Sequence, residues 1–594
     1  MQPEWDTNRD YHSFANPDEV RVAHLALTLA VDFDARRLAG TAELSLTYML
    51  ADVRHLFLDS KDLQILKVQT PDGEALPYCL DAKDPVLGQR LNIALESHPA
   101  KVVIHYLTSP RAQGLQWLAP EQTRGKRLPY LFSQSQPIDA RSWIPLQDTP
   151  QARITFEAKI TVPKGMRAVM SAMNSADTPL EGQFDFSMEK PIPTHLLALA
   201  VGELAYAELG PRSGIYTEPA MLAAAAAEFE DTEQMMAVAE SLLGPYAWGR
   251  YDILVLPPSF PFGGMENPRL AFITPTLIAG DKSLVSTVAH ELAHSWTGNL
   301  VSNASWRDLW LNEGFTTYFT NRIVEAVYGK EQAELEWVLE FTRLQEEMQL
   351  LPLARQTLPA NVQDEDPQQA FNRFTYDKAS LFVHQLEACL GRPAFDAFLH
   401  DYVAHFAFQA ITTETFVDYA RQTLLHEHGD KFTEAQLQEW VYGAGLPREF
   451  VAPSSSSLDK VTEALHAWLG GTQAMRLEVQ DWRVQHWQYF LAQLPEALSH
   501  GQLAELDACF KLTQSTNAEI ACDWFRVAIR NNYDPVLPAL GDYLCGIGRG
   551  KFVRPLYTEL KIAGYLGQMR AIYAQARSGY HPSIQLQLDA LLEE

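Results

Sequence analysis

The sequence predicts a multidomain α+β protein with a β-rich first part, a mixed middle part and a helical last part. Its 594 residues correspond to three or four domains at roughly 150 residues each. Apolar residues alternate with period two through the first 200 residues and recur at helical spacing through most of the remainder. One domain boundary is therefore a change of pattern, and the other is a Pro- and Ser-rich linker.

Short strands are predicted through residues 1–204, which we assign to an N-terminal antiparallel β domain. Apolar residues alternate with small or polar ones over 25–33 and again over 42–48, with a turn expected at 39–40. The same alternation returns at 154–160. Such strands, separated by turn residues, are typical of a large antiparallel sheet.

The pattern then changes and predicts a mixed domain over 205–446. A helix over 221–244 is rich in Ala, Leu, Met and Glu, which favour helix formation. A strand is predicted at 251–258. Apolar residues recur at helical spacing over 283–300 and 310–328, so that two helices should follow the strand.

A linker is predicted at 447–457, where prolines and four consecutive serines interrupt the helical pattern. Beyond it, residues 458–594 read as helices joined by short turns of Gly, Asn and Pro. This last part is therefore expected to be an all-α C-terminal domain.

Charge and composition exclude several classes of protein. Lys and Arg number 47 against 74 Asp and Glu, so the net charge is −27 and phosphate backbones would be repelled. The sequence has no run of 18 apolar residues, and its first residues lack the pattern of a signal peptide. Its five cysteines form no C-x-x-C pair, which favours reduced thiols. We expect a cytoplasmic monomer without nucleic-acid or membrane partners.

An H-E-x-x-H motif marks the candidate metal centre. On a helix, His290 and His294 lie one turn apart on the same face, so both imidazoles can reach one ion. Glu291 projects about 100° away around the helix and can hold a water molecule rather than the metal. Glu313 follows His294 after eighteen residues and offers the third protein ligand that catalytic zinc requires. Taken singly, such residues are more often core histidines or a helix N-terminal carboxylate, but their combination favours zinc.

Two further segments offer groups that suit peptide chemistry. Gly263 and Gly264 precede Met265 and Glu266, and paired glycines let a substrate backbone approach closely. Tyr376 offers a phenol that can donate a hydrogen bond. By itself, a pair of glycines is usually a turn, and a lone tyrosine is usually a core or interface residue.

Together these residues resemble the zinc aminopeptidases of the leukotriene-A hydrolase branch of the membrane-alanyl-aminopeptidase family, which are gluzincins. The block 260–329, with its Gly-Gly-Met-Glu-Asn segment and its H-E-x-x-H motif, accounts for most of the resemblance. Segments 133–136, 147–150, 376–378 and 548–556 also fit the family. The resemblance extends from about residue 10 to about residue 590.

The resemblance implies a fold and an activity. The N-terminal domain would be a β saddle, the middle domain would be thermolysin-like, and the C-terminal helical domain would close over the cleft. The enzyme would remove the N-terminal residue from short peptides with a free amine, using one zinc ion per chain to activate water.

The resemblance also assigns roles to individual residues. It implies that zinc is bound by His290, His294 and Glu313, that Glu291 is the general base, and that Tyr376 stabilises the oxyanion. It implies that Glu266, with Gln136 beside it, binds the substrate's amine, and that the peptide runs along Gly263, Gly264 and Met265. It also implies that Arg549 and Lys551 bind the substrate's carboxylate.

Two positions depart from the members of the family that also hydrolyse a leukotriene epoxide. Those members have Asp and Tyr where this chain has Gln368 and Phe371. Without that carboxylate, we expect peptidase activity without efficient leukotriene-type epoxide hydrolysis.

Three alternatives remain open on the sequence alone: a leukotriene-type epoxide hydrolase, an endopeptidase of thermolysin type, and a catalytically dead binding protein on the same fold. The intact ligands, base and tyrosine argue against the dead protein. Zinc content and turnover of an aminoacyl anilide would test it, and cleavage of an N-acetylated peptide would identify the endopeptidase.

Overall fold

The computed structural model describes residues 6–593, and its first part is built from strands. The strands are β1 (Val20–Asp32), β2 (Arg37–Tyr48), β3 (His55–Ser60), β4 (Gln64–Gln69), β5 (Tyr78–Leu80), β6 (Gln89–Ala94), β7 (Lys101–Leu107), β8 (Leu115–Leu118), β9 (Tyr130–Ser133), β10 (Arg153–Thr161), β11 (Arg167–Met170), β12 (Gln183–Pro193) and β13 (Leu199–Gly202). They form three sheets with the strand orders β12-β10-β1-β2-β7-β4, β11-β13-β9-β8 and β3-β6-β5.

The pairing of these strands confirms the expected antiparallel domain, with one exception. β1 pairs with β2 in antiparallel register but with β10 in parallel register. The expected alternation is present in β1, where Leu25, Leu27 and Leu29 are buried on one face. The core of the domain therefore lies against that face.

The turn expected at 39–40 was misplaced. The chain turns at 33–36, and Gly40 lies inside β2. A Cβ atom on Gly40 would stand 1.8 Å from the carbonyl oxygen of Thr28 in β1. The glycine is therefore explained by the close approach of two strands rather than by a turn.

The middle part combines strands with helices. Its strands are β14 (Ala205–Gly210), β15 (Ser213–Thr217), β16 (Tyr251–Val255), β17 (Gly264–Met265), β18 (Leu270–Ile273), β19 (Val301–Asn303) and β20 (Gln409–Ile411). The first five form one sheet of order β14-β15-β16-β18-β17. The helices are α1 (Leu222–Glu228), α2 (Thr232–Leu243), α3 (Ser286–Ala293), α4 (Trp310–Tyr328), α5 (Lys330–Leu350), α6 (Ala379–Leu390), α7 (Arg392–His405), α8 (Thr413–Ala420), α9 (His426–His428) and α10 (Glu434–Tyr442).

The strand near 251 and the helix from 310 agree with the sequence prediction, whereas the single helix predicted over 221–244 is divided. α1 ends at Glu228, whose carboxylate accepts hydrogen bonds from the backbone N–H groups of Gly280 and Lys282. The carboxylate of Asp231, just before α2, accepts hydrogen bonds from the Lys282 ammonium and the Tyr328 hydroxyl. Contacts with a distant loop thus accompany the break, and helical periodicity carries no information about them.

The last part is all-helical, as predicted, and has its own apolar core around Trp524, Phe552 and Leu556. Its first helix begins at Ser456, inside the predicted linker, so the serine run includes the first turn of that helix. α5 of the middle part packs against its first two helices. Its helices are α11 (Ser456–Leu469), α12 (Val484–Ala492), α13 (His500–Phe510), α14 (Ala518–Arg530), α15 (Leu537–Gly546), α16 (Gly550–Ile562), α17 (Leu566–Ala576) and α18 (Pro582–Glu593).

Across residues 6–593, every helix is too short or too polar to cross a membrane.

Candidate active site

Helices α3 and α4 pack together and bring the three predicted metal ligands to one point. Oε2 of Glu313 lies 3.3 Å from Nε2 of His290 and 3.5 Å from Nε2 of His294. Two ligands of one tetrahedral zinc ion stand about 3.4 Å apart, because zinc–ligand distances are about 2.0–2.2 Å. Oε2 of Glu313 is buried and has no hydrogen-bond partner among the described residues. The donor set and its geometry therefore fit zinc.

Two threonines of α4, together with the Thr297 carbonyl from the loop after α3, contact the two imidazoles, and the sequence prediction missed them. Nδ1 of His294 lies 3.0 Å from the Thr297 carbonyl oxygen and 3.1 Å from the Thr316 hydroxyl. Nδ1 of His290 lies 3.3 Å from the Thr320 hydroxyl. With Nδ1 donating to the carbonyl, His294 keeps the lone pair of Nε2 for a metal. The helical spacing of these threonines from Glu313 is the signal that could have revealed them.

Glu291 is buried beside the metal ligands and close to the glycine pair. A Cβ atom on Gly264 would stand 2.1 Å from Oε1 of Glu291, so the close approach requires glycine. Burial and the carboxylates of Glu266 and Glu313 raise the pKa of Glu291 well above its ordinary value. A carboxyl group in such surroundings suits proton transfer.

Gly264 and Met265 form β17, the edge strand of the middle sheet, which pairs on one side with β18. An edge strand leaves its outer N–H and C=O groups available to an extended peptide. Met265 is itself buried, and the side-chain amide of Gln134 contacts its sulfur at 3.3 Å.

Glu266 and Gln136 come together from different domains. Nε2 of Gln136 donates to Oε1 of Glu266 at 2.9 Å, and both side chains are buried. Burial acts to raise the pKa of Glu266, but the neighbouring His294 and a backbone N–H lower it, and the balance lies below the ordinary value. Glu266 is therefore an ionised carboxylate next to the metal ligands.

Tyr376 lies in a π-helical turn, Phe374–Lys378, and its ring stacks on that of His290 with centroids 6.3 Å apart. Burial, the charge of Glu313 and a hydrogen bond to Glu313 raise the pKa of Tyr376 well above its ordinary value. The phenol therefore stays protonated and can act as a hydrogen-bond donor.

Arg549 and Lys551 lie at the start of α16, and both face the carboxylate of Glu519. Nη1 of Arg549 is 3.4 Å from the Thr276 hydroxyl and 3.6 Å from a carboxylate oxygen of Glu519. A Cβ on Gly263 would stand 2.7 Å from Nη2 of Arg549, so this arginine reaches the glycine pair. Nζ of Lys551 lies 2.7 Å from both carboxylate oxygens of Glu519.

All twelve predicted site residues line one cavity of about 320 Å³. Its lining comes from all three parts of the chain, which explains why no single segment contains the site. Charged residues that were not predicted also line it: Glu336, Glu340, Arg343, Arg373, Asp377 and Glu519. Most of these lie on α5 and α14, outside any recognisable motif, so only helix packing reveals their position.

Three family models match consecutive parts of the chain. They are described as "Peptidase M1 N-terminal domain" over 17–196, "Peptidase family M1 domain" over 227–439 and "Leukotriene A4 hydrolase, C-terminal" over 482–592. Leukotriene A-4 hydrolase of Xenopus laevis is 36% identical over 575 residues, which cover 93% of this chain and 93% of that protein. The chain belongs to peptidase family M1.

Two further comparisons agree with membership of the M1 family. Leucine aminopeptidase 2 of Yarrowia lipolytica is 35% identical over 581 residues, covering 93% of this chain and 89% of that protein. The structure of yeast LTA4 hydrolase in complex with bestatin matches with a TM-score of 0.93 and 31% identity, covering 100% of this chain and 99% of that one.

This M1 peptidase is a zinc metallo-aminopeptidase, a hydrolase acting on peptide bonds. The comparisons confirm the expected three-part architecture, with a β-rich N-terminal domain, a catalytic middle domain and a helical C-terminal domain.

Proposed function

We propose that this M1 peptidase removes the N-terminal residue from short peptides with a free α-amine. The observation that supports this most directly is the position of Glu266. Carboxylate or imidazole atoms of Glu266, Glu291 and His294 all lie within 4.8 Å of one another. A substrate whose ammonium group pairs with Glu266 would therefore place its first peptide bond beside the base and the metal ligands.

His290, His294 and Glu313 are proposed to hold the zinc ion. When bound there, zinc makes a water molecule more acidic and polarises the scissile carbonyl. Glu291 accepts the proton of the attacking water and passes it to the leaving amine, a role typically worth 10²–10⁴-fold in rate. Tyr376 donates its phenolic proton in a hydrogen bond to the developing oxyanion, worth roughly 10²–10³-fold.

Glu266 and Gln136 are proposed to bind the substrate's N-terminus. Glu266 supplies the negative charge that distinguishes an ammonium group from an internal peptide bond, and Gln136 fixes the orientation of that carboxylate. A peptide blocked at its N-terminus would leave the buried charge without a partner, which is costly.

The rest of the substrate is proposed to extend along Gly263, Gly264 and Met265. The edge strand β17 offers main-chain hydrogen bonds to an extended peptide. Arg549 and Lys551, which line the same cavity, are proposed to bind the C-terminal carboxylate of a short peptide.

Leukotriene-type epoxide hydrolysis is not part of the proposed function, although the relative from Xenopus laevis is named for that activity. Gln368 places a neutral amide in the lining of the cavity where epoxide-hydrolysing members have a carboxylate. Phe371, which packs against Trp306 with ring centroids 6.0 Å apart, has no hydroxyl group.

We further propose that the enzyme is a cytoplasmic monomer whose domains comprise residues 1–204, 205–446 and 458–594, joined by a linker at 447–457. The segments matched by the family models fall within these three ranges. The net charge of −27 favours solubility and disfavours anionic surfaces such as nucleic acid.

The proposed function is tested by assaying aminoacyl anilides, tripeptides and N-acetylated tripeptides with and without a zinc chelator. We expect turnover of the unblocked substrates, its loss on chelation and its return when zinc is added back. Comparable cleavage of blocked and unblocked peptides would instead identify an endopeptidase. A protein with stoichiometric zinc and no turnover of any peptide would be a binding protein.

A further inference from the structure

A second cavity of about 390 Å³, the side cavity, adjoins the catalytic cavity. Ser286, at the start of α3, and Glu336, on α5, line both cavities and mark the passage between them. The rest of the side cavity is lined by the loop before α3, the end of α4, the start of α5 and the residues before α12. It therefore lies where the middle part of the chain meets the helical last part.

The position of Ser286 shows on which side of the metal ligands the side cavity lies. His294 is within 4.8 Å of Glu266, and the charge of His294 acts on Glu266 more strongly than that of His290. His290 precedes His294 by one helical turn, and Ser286 precedes His290 by another, each turn rising about 5.4 Å. The side cavity therefore lies beyond the metal ligands as seen from Glu266.

Helix α4 gives the same direction. Thr316 contacts His294, and Thr320, one turn later, contacts His290. Val324 follows after one more turn and lines the side cavity. A peptide whose amine pairs with Glu266 and whose first carbonyl lies at the metal ligands would thus direct its second residue toward the side cavity.

The side chain of the first residue has other space available. A third cavity, of about 250 Å³, shares Phe262 and Gln368 with the catalytic cavity. It also includes Pro137, the residue next to Gln136, and it therefore adjoins the amine-binding side. The first two side chains of a substrate would accordingly enter different cavities.

Glu336 is the charged group at the entrance to the side cavity. Its Oε1 accepts a hydrogen bond from the side-chain amide of Gln485 at 2.8 Å. Across residues 6–593, no Lys, Arg or His nitrogen lies within 4.0 Å of its carboxylate. Burial raises the pKa of Glu336, whereas the more distant charges of Arg343 and Lys551 act in the opposite direction. A cation entering the passage would therefore meet a carboxylate that lacks a paired cation.

The two distant cations are shared with other acids. Nζ of Lys551 lies 2.7 Å from both carboxylate oxygens of Glu519. Arg343 acts on Asp377, Glu340 and Glu519 as well as on Glu336. Neither cation therefore compensates the charge of Glu336 alone.

The cations that line the side cavity itself leave Glu336 in the same state. Lys282 is paired with Glu230 at 2.7 Å and with Asp231 at 2.8 Å. Arg483 donates to the Gln332 carbonyl oxygen at 2.5 Å and is exposed, so that water and salt screen its charge. Glu336, by contrast, lies at the inner end, where screening is weaker.

The walls of the side cavity suit the stem of a long side chain. Tyr328 and Trp482 supply aromatic rings, and Val285 and Val324 supply methyl groups. Lys and Arg bury their methylene stems along such apolar surface while the charged end stays with polar groups. Aromatic rings also attract cations. Asp281, which is exposed, adds a second carboxylate to the lining.

We propose that the side cavity binds the side chain of the residue that follows the cleaved bond, and that Glu336 selects Lys or Arg at that position. This inference rests on the proposed aminopeptidase function, because the direction of the substrate is set by the pairing of its amine with Glu266. It adds a preference for the second residue of the peptide to the preference for a free N-terminus.

The test compares Lys with norleucine, which has a similar stem and no ammonium group, in the tripeptides Ala-Lys-Ala and Ala-norleucine-Ala. The parent should cleave the Lys peptide with kcat/KM about tenfold or more higher, because norleucine leaves the buried carboxylate without a cation. In Glu336→Gln this ratio should fall to within about twofold of one. Melting temperature and zinc content report whether the variant is folded.

Two controls separate the side cavity from general effects of charge. Glu334 lies on the same helix, pairs with Lys330 at 3.1 Å and lines neither cavity, so that Glu334→Gln should keep the parent's ratio. The peptides Lys-Ala-Ala and norleucine-Ala-Ala carry the same change at the first residue. Their ratio should differ less than about twofold between the parent and Glu336→Gln.

Several results would overturn the inference. A parent ratio near one at the second residue would show that no cation is selected there, while leaving the aminopeptidase function intact, and this result does not depend on the folding of any variant. A Lys preference that persists in folded Glu336→Gln would assign the selection to another group. A change confined to the first residue would place that side chain in the side cavity. A zinc-loaded parent that cleaves none of the four peptides would contradict the proposed function itself.

Discussion

The carboxylate of Glu291 occupies the space that a side chain on Gly264 would need. A Cβ on Gly264 would stand 2.1 Å from Oε1 and 2.3 Å from Cδ of Glu291, which is far inside van der Waals contact. Glu291 on α3 can therefore take its position only because Gly264 in the edge strand has no side chain. An extra methyl group at this point would push the carboxylate away from its position.

Gly264→Ala should lower kcat by about 10²–10⁴-fold, because displacing Glu291 removes its proton transfer. Zinc content should be unchanged, because no metal ligand is displaced. Gly567→Ala is the matched control, since a Cβ there meets no atom within 4 Å in the described chain. Full activity in Gly264→Ala would show that Glu291 has room to move or is not the base.

Glu291 and Glu313 should differ in their effect on metal binding. Glu291→Gln should keep stoichiometric zinc and lose most of kcat, because it moves protons without holding the metal. Glu313→Ala should lose zinc, because it removes one of three ligands. Zinc content by atomic spectroscopy and kcat on an aminoacyl anilide check both variants. The opposite pattern of zinc retention would reverse the two assignments.

Glu266→Ala should lower kcat/KM for free-amine substrates by roughly 30-fold or more, because removing one partner of a buried charge pair costs about 2–5 kcal/mol. Gln136→Ala should have a smaller effect, since Gln136 contacts the carboxylate and carries no charge. Steady-state kinetics with one tripeptide and its N-acetylated form measure both. A Glu266→Ala variant with the parent's preference for the free amine would exclude Glu266 as the amine-binding group.

The parent enzyme should leave a leukotriene-type epoxide unhydrolysed while it cleaves tripeptides. Gln368→Asp with Phe371→Tyr should introduce measurable epoxide hydrolysis if the missing carboxylate is what prevents it. Product analysis by chromatography distinguishes the cases. Gln368→Glu is the control, because it adds a carboxylate on a side chain one methylene longer than that of Asp. Efficient epoxide hydrolysis by the parent would contradict the interpretation of Gln368.

Features that depend on neighbouring residues could be predicted from the sequence. The helical placement of His290 and His294 follows from a spacing of four residues, and the strand pattern in β1 follows from alternation of adjacent residues. Family membership rests on motifs of this local kind, and the comparisons confirm it. In each case the relevant interactions span a few residues, which a reading of the chain can recognise.

Features that depend on packing between distant elements were decided only by the tertiary structure. The 3.3 Å separation of Glu313 and His290 requires α3 and α4 to lie side by side. The pairing of Lys551 with Glu519 requires α14 and α16 to pack against each other. Residues so far apart in sequence are brought together by burial of apolar faces, which has no fixed spacing along the chain. The sequence by itself therefore determined the family and the metal-binding motif, and the packing of the domains decided which charges face the substrate.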